Sequence, residues 1–130
     1  IPMTMFPFYK YNTKNITKIG TAGGWVKPSS GYSFKITQNK VAKIVSNLKQ
    51  DKLPSEGLFK KKYRFYDKVF LQVLKDENHK GELIFEKFYR KNSPKTMFKF
   101  LDETSSLFED IKIMLSLFSF SFIKAFFKTL

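Results

Sequence analysis

The residues whose types and spacing could do chemistry lie between Lys18 and Tyr32, in the string KIGTAGGWVKPSSGY. Gly20, Gly23 and Gly24 lack a Cβ, and Ala22 has only a methyl group, so this turn can bend sharply and let a ligand approach bare backbone. A helix opening at Ser29 or Ser30 would aim its unpaired N–H groups and the positive end of its dipole back at the turn. An anion or an electron-rich ring is stabilised in such a place. A Gly-Gly pair between a strand and a helix also serves as an ordinary turn. Elsewhere the chain offers little reactive chemistry. It has no cysteine, which excludes disulfides, thiolate zinc sites and a cysteine nucleophile. Its single histidine, His79, stands between Asn78 and Lys80 and reads as a surface loop residue, so a histidine-based metal cluster is excluded and no metal is expected.

Positioning the turn requires an element on each side. Asn15 to Ile19 carries two isoleucines and a threonine, which predicts a short strand ending at Gly20. Phe34, Val41, Ile44, Val45 and Leu48 recur at helical spacing and predict a long amphipathic helix. Before the strand, Ile1 to Tyr11 holds two prolines with Phe6, Phe8, Tyr9 and Tyr11, which suits an extended segment. Trp25 either faces a cleft or plugs it. The polar Gln50 to Gly57 stretch, with Pro54 and Gly57, ends the first helix in a loop. Helical stripes follow at Tyr66, Val69, Phe70, Val73 and Leu74, then at Ile84, Phe85, Phe88 and Tyr89. Ser93-Pro94 is a helix start leading to Met97, Phe98 and Leu101. Ser106 with Glu109 forms a capping box for a helix carrying Leu107, Ile111, Met114 and Leu115. Such stripes are expected to form core, with some left to line a channel. The fold class is therefore mostly α, with a short strand and a Gly-rich turn near the N-terminal end. The organisation divides into residues 1–50 (strand, turn, helix) and a helical region, 51–130.

A formal charge of +13 prompts a nucleic-acid reading, but only Arg64 and Arg90 among the 24 basic residues are arginines. Base-reading surfaces favour the planar bidentate fork that lysine lacks, so no specific nucleic-acid partner is expected. Attraction to an anionic membrane surface suits the lysines and an aromatic content of 18% better. The tail from Ile113 to Leu130 is the most hydrophobic window, yet it contains Lys124, Lys128 and several serines and is short for a span. Phe118, Phe122, Phe126 and Leu130 recur every fourth residue, which predicts an amphipathic helix that packs on the body or lies in a membrane interface.

Three strings in order, IPM at Ile1 to Met3, IGTAGG at Ile19 to Gly24 and KPSSGY at Lys27 to Tyr32, closely resemble the C-terminal half of the FAD-dependent lycopene cyclases, particularly the bacterial β-cyclases. A looser likeness continues through Phe65-Tyr66-Asp67 and the FKFLDE run at Phe98 to Glu103. The resemblance implies that Gly20, Thr21, Ala22, Gly23 and Gly24 match a flavin-contacting loop, and that Pro28, Ser29, Ser30 and Gly31 match the segment opening the next helix beneath the ring. Thr21 departs from the Asp of many related flavoproteins, leaving a neutral hydroxyl for a ribityl oxygen. Asp102 and Glu103 look like an acidic motif of plant members, but that motif precedes the IPM segment, so they are read as helix-boundary charges. No catalytic residue is named.

The intact family implies an α/β, Rossmann-like FAD-binding fold with a helical substrate and C-terminal region. No GxGxxG occurs here, and the chain begins inside the IPM string. It therefore reads as a fragment, whose expected upstream part holds the dinucleotide fingerprint and the proton-donating acid. The implied reaction is acid-type cyclisation of the ψ-ends of lycopene to β-rings with no net redox change. The implied cofactors are reduced FAD and NAD(P)H as its reductant. The implied partners are a carotenoid substrate, a membrane surface and the missing N-terminal part, and the implied place is the bacterial cytoplasm, peripheral to the inner membrane. Two alternatives are another FAD-dependent isoprenoid enzyme (a reductase or an epoxidase) and a basic helical module that binds membranes or nucleic acid.

Overall fold

The structure, a computed structural model, describes residues 4–130. The Ile1 to Met3 string lies outside the described residues. Two compact units emerge, one running to Arg64 and one from Phe65 to Leu130.

The first unit contains a 3-10 turn at Phe8–Tyr11, a second at Thr21–Gly23, and helix α1, Phe34–Leu48. Among the described residues there is no strand. The strand expected at Asn15 to Ile19 is replaced by irregular backbone whose hydrogen bonds are satisfied locally. The Thr13 N–H donates to the Ile16 carbonyl at 2.8 Å, the Ile16 N–H to Thr13 Oγ1 at 3.1 Å, and the Lys18 N–H to Asn12 Oδ1 at 2.9 Å. With those groups engaged by neighbours in sequence, and with Ile16 and Ile19 exposed, nothing recruits a ladder partner. Of the extended segment expected at Ile1 to Tyr11, residues 4–7 carry no regular structure and Phe8–Tyr11 form the first 3-10 turn; Phe6 packs edge-on against Phe8 and stacks on Tyr11.

Helix α1 starts later than Ser29 or Ser30. Residues 27–32 close a turn of their own, with the Gly31 N–H bonded to the Lys27 carbonyl at 2.8 Å and the Lys27 N–H bonded to the Tyr32 carbonyl at 2.7 Å. Gly31 takes a φ of +72°, a left-handed conformation incompatible with a helix interior, so the helix opens at Phe34. Its inward face also differs from the expected stripe. Ile36, Lys40 and Asn47 are buried, while Phe34, Val41, Val45 and Leu48 are exposed. Polar anchoring accounts for this. Asn47 Nδ2 donates to the carbonyls of Leu53, Pro54 and Glu56 at 3.2, 3.2 and 2.8 Å, and Lys40 Nζ lies 3.7 Å from the Phe59 ring centroid.

The second unit takes up most of helix α2, Lys61–Asp76, and continues with α3, Gly81–Lys91, α4, Pro94–Leu101, α5, Leu107–Ser116, and α6, Phe120–Thr129. The expected starts are present. Ser93 Oγ accepts from the Thr96 N–H at 3.2 Å with Pro94 in the first turn. Ser106 and Glu109 form the full capping box, the Glu109 carboxylate accepting from the Ser106 N–H at 2.9 Å. Phe88, Met97, Ile113 and Leu117 make the core, with Phe70, Phe100 and Phe122 packed against it. Asn92 Nδ2 donates to the Phe88 carbonyl at 2.9 Å and to Ser116 Oγ at 2.8 Å, tying the end of α3 to the end of α5. Asp76 on α2 holds Lys128 on α6 at 2.7 Å. His79 is exposed in a 3-10 turn, Asn78–Lys80. Asp102 follows the last residue of α4 and Glu103 takes a φ of +59°, so both stand at a helix boundary.

Candidate functional site

The glycine turn is built by its own backbone. The Gly23 N–H donates to the carbonyls of Ile19 and Gly20 at 3.0 and 3.1 Å, the Gly24 N–H to Thr21 at 3.0 Å, and the Trp25 N–H to Gly20 at 3.0 Å. Gly20 and Gly24 have φ of +58° and +70°, a region that glycine enters without strain. Gly23 is required for another reason: a Cβ there would stand against the Lys18 carbonyl and 3.0 Å from the Trp25 indole nitrogen. Trp25 is buried, so it plugs the turn, and its Nε1 has no acceptor among the described residues.

The nine residues singled out in the sequence thus fall into two hydrogen-bonded turns, 19–25 and 27–32. Thr21, Ala22 and Gly31 are exposed, Gly20, Gly24, Pro28 and Ser30 are half-buried, and Gly23 and Ser29 are buried. No atom lies within 4 Å of where a side chain would project from Gly20 or Gly31. The N–H groups of Gly23, Gly24, Ser30 and Gly31 already donate within the chain. The parts of the two turns left open are the exposed Thr21 and Ala22 with the free side of Gly20 in the first, and Gly31 in the second. Buried Gly23 lets the first turn close against the Lys18 carbonyl. Among the described residues no cluster of histidine, aspartate or glutamate could hold a metal ion.

A second feature lies wholly in the second unit. A pocket of about 370 Å³ is walled by side chains of α2, α4, α5 and α6, including Tyr66, Phe70, Phe100, Met114, Phe122 and Phe126. The Tyr66 ring stacks on Phe100 with centroids 6.0 Å apart, and Phe126 meets Phe65 edge-on at 5.4 Å. The polar point of this wall is the Tyr66 hydroxyl, 3.2 Å from Asp110 Oδ2, while Ser105 Oγ donates to Asp110 Oδ1 at 2.5 Å. Asp110 is fully buried. It sits in the first turn of α5, where the helix dipole favours a carboxylate.

This arrangement overturns one expectation. The α5 stripe at Leu107, Ile111, Met114 and Leu115 is exposed rather than core, and Asp110, Ile113 and Leu117 point inward instead. Helix α5 is apolar on two faces, so periodicity alone leaves its rotation open, and the bonds from Asp110 to Tyr66 and Ser105 decide it. Ile111, Met114 and Leu115 become pocket wall. Asp110 and Tyr66 were missed as a pair because nothing in sequence joins residues so far apart. The one available signal was that Asp110 shares a helical face with Ile113 and Leu117.

A family model described as "Lycopene cyclase protein" matches residues 1–126. The chain belongs to the lycopene cyclase family. Both the glycine turn and the apolar pocket lie within the matched residues, and membership supports a lycopene cyclase-like function in carotenoid biosynthesis. No curated protein and no solved structure matches this lycopene cyclase family member.

Proposed function

We propose that this chain is the C-terminal portion of a lycopene cyclase that closes the ψ-ends of lycopene into β-rings, with reduced FAD and without net redox change. The family match over residues 1–126 carries the reading. The reaction is an isomerisation. A proton adds to the terminal double bond, the resulting carbocation is attacked by an internal double bond to close the ring, and a proton is lost to restore the double bond. Reduced FAD, if bound and kept reduced by NAD(P)H, would supply negative charge that stabilises a cation.

The residues of this chain that would hold the flavin are the exposed Thr21, Ala22 and Gly31 with half-buried Gly20. The Thr21 hydroxyl would bond a ribityl oxygen. Gly23, Gly24, Pro28, Ser29 and Ser30 shape the two turns that carry these residues. A preceding segment of the same enzyme supplies the diphosphate fingerprint and the acid. The enzyme works in the bacterial cytoplasm at the inner membrane. The lysine-rich composition and the exposed Leu107, Phe120 and Phe127 support peripheral attachment to anionic lipid. Among the described residues no helix is long and apolar enough to cross a membrane.

Expression of the complete reading frame in lycopene-accumulating cells, with pigment analysis, tests the proposal. Conversion of lycopene to β-carotene is expected. Unchanged lycopene would overturn the cyclase reading, and a saturated or epoxidised product would move the assignment to another FAD-dependent isoprenoid enzyme.

A further inference from the structure

The pocket of the second unit is apolar from floor to mouth. Its buried lining is aliphatic, Ile113 and Leu117, half-buried aromatic rings stand around them, and several mouth residues, Ile111, Met114, Leu115 and Phe118, are themselves exposed. Its polar point is occupied, because the Tyr66 hydroxyl and Asp110 are bonded to one another and Ser105 holds the second carboxylate oxygen. A ligand with a hydroxyl or charge buried there would lose water and find at most the Tyr66 oxygen as an acceptor in return. A hydrocarbon loses nothing, and the stacked rings of Tyr66 and Phe100 offer π faces, which attract positive charge. The volume of about 370 Å³ falls in the range of small-molecule pockets. It lies towards the lower end of that range. That suits the end of a chain and not the whole of a polyene.

We infer that this pocket, between α2, α4, α5 and α6, takes one unsubstituted hydrocarbon end of the isoprenoid substrate, entering through the exposed apolar mouth at Ile111, Met114 and Phe118. The inference rests on the cyclase reading for the identity of the substrate, while the ligand class follows from the wall. Met114 is the gate: it lines the pocket and is also partly exposed, so a larger side chain there blocks the mouth without entering the core. Phe108 is a control, exposed on the same helix but absent from the lining.

The full chain would be titrated with lycopene delivered in detergent micelles, reading the circular dichroism induced in the visible band of the polyene. The expected result is an induced signal that Met114→Trp weakens more than tenfold in apparent affinity and Phe108→Ser leaves unchanged, with far-UV spectra matching the parent. If Met114→Trp does not fold, Ile111→Trp closes the same mouth. No induced signal from the folded parent, equal binding by the blocked variant, or equal loss in Phe108→Ser would overturn the inference, the last pointing to adsorption on the outer apolar surface. The two readings fail separately. A mouth-dependent signal with no cyclisation in cells keeps the pocket and removes the cyclase, and cyclisation undisturbed by Met114→Trp does the reverse.

Discussion

Residues 1–64 carry 13 lysines and arginines against 2 acidic residues, and residues 65–130 carry 11 against 9. The 16 phenylalanines divide the other way, four and twelve. The two units accordingly surround their aromatic rings with different company. In the first, Lys40 lies 3.7 Å over Phe59, Lys62 4.5 Å over Tyr63, and Arg64 4.5 Å over Tyr9. In the second, rings meet rings: Phe70 with Phe85 at 5.4 Å and with Phe122 at 5.7 Å, and Phe88 with Phe100 at 6.1 Å. A ring facing a cation gains through its quadrupole, by up to about 2 kcal/mol where the cation is desolvated. A ring buried among rings gains through area removed from water, at roughly 25 cal/mol per Å². The first unit, where Phe6 also meets Phe8 and Tyr11 and Tyr9 meets Phe59, therefore adds cations to its ring packing, while the second draws more on apolar burial, with polar ties at Asn92 and Asp110.

The largest effect that would test this contrast is expected from Phe88→Ala. It removes a buried ring from the core cluster and should cost about 3–5 kcal/mol. The loss, read from denaturant unfolding by far-UV circular dichroism, should be equal at low and high salt, because burial of area is not screened. A cost that shrinks in salt would break the comparison.

Gly23→Val comes next. The added Cβ would stand against the Lys18 carbonyl, backbone that has little room to yield, so a cost of about 3 kcal/mol is expected. Trp25, the sole tryptophan, is buried beside it and reports the damage. Its emission should shift to the red while most helical signal remains. An unshifted emission maximum would show that the turn has slack that the hydrogen bonds do not suggest. The substitution would disturb a flavin contact only through the turn, so it is a test of the turn and not of the proposed cofactor. Substitution at exposed Ala22 is the cleaner probe of contact.

The same contrast explains what could be read from the chain. Helix starts at Ser93-Pro94 and Ser106 were legible because a cap is a local event, decided within four residues. The glycine turn was legible for the same reason. Helix faces were not. In α1 the inward residues are set by Asn47 and Lys40, and in α5 by Asp110, so one polar side chain with distant partners outvotes four or five apolar ones. The expected strand failed because Asn12 and Thr13, a few residues earlier, satisfied its backbone. Periodicity records where apolar residues recur and says nothing of which polar group will find a partner.

Asn47→Ala sharpens the comparison from the polar side. It frees the carbonyls of Leu53, Pro54 and Glu56, and should cost about 2 kcal/mol. The 49–60 loop should become sensitive to protease, and cleavage there at the parental rate would mean that the loop is held by other contacts.

The smallest effect is electrostatic and belongs to the second unit, where burial otherwise dominates. The hydrogen bond from Lys99 Nζ, 2.6 Å away, holds the Glu109 carboxyl down to about 2, with help from the Ser106 backbone N–H, against an ordinary value of 4.5. A depressed folded-state pKa stabilises the fold only while the group is ionised. The contribution is therefore complete above the ordinary value, declines as the pH falls below 4.5, and is gone once the pH passes about 2. Asp76, lowered mainly by its hydrogen bond from Lys128, acts with the same sign, so the quantity to measure is the difference in Tm between the parent and Glu109→Gln. That difference should be constant near neutrality and close between pH 4.5 and about 2. It should also narrow in high salt, since Lys99 and Glu109 are both partly exposed, whereas the loss in Phe88→Ala should not. A Tm difference that persists at pH 2 would assign the role of Glu109 to side-chain packing over the start of α5, and would extend apolar control of the second unit even to its capping box.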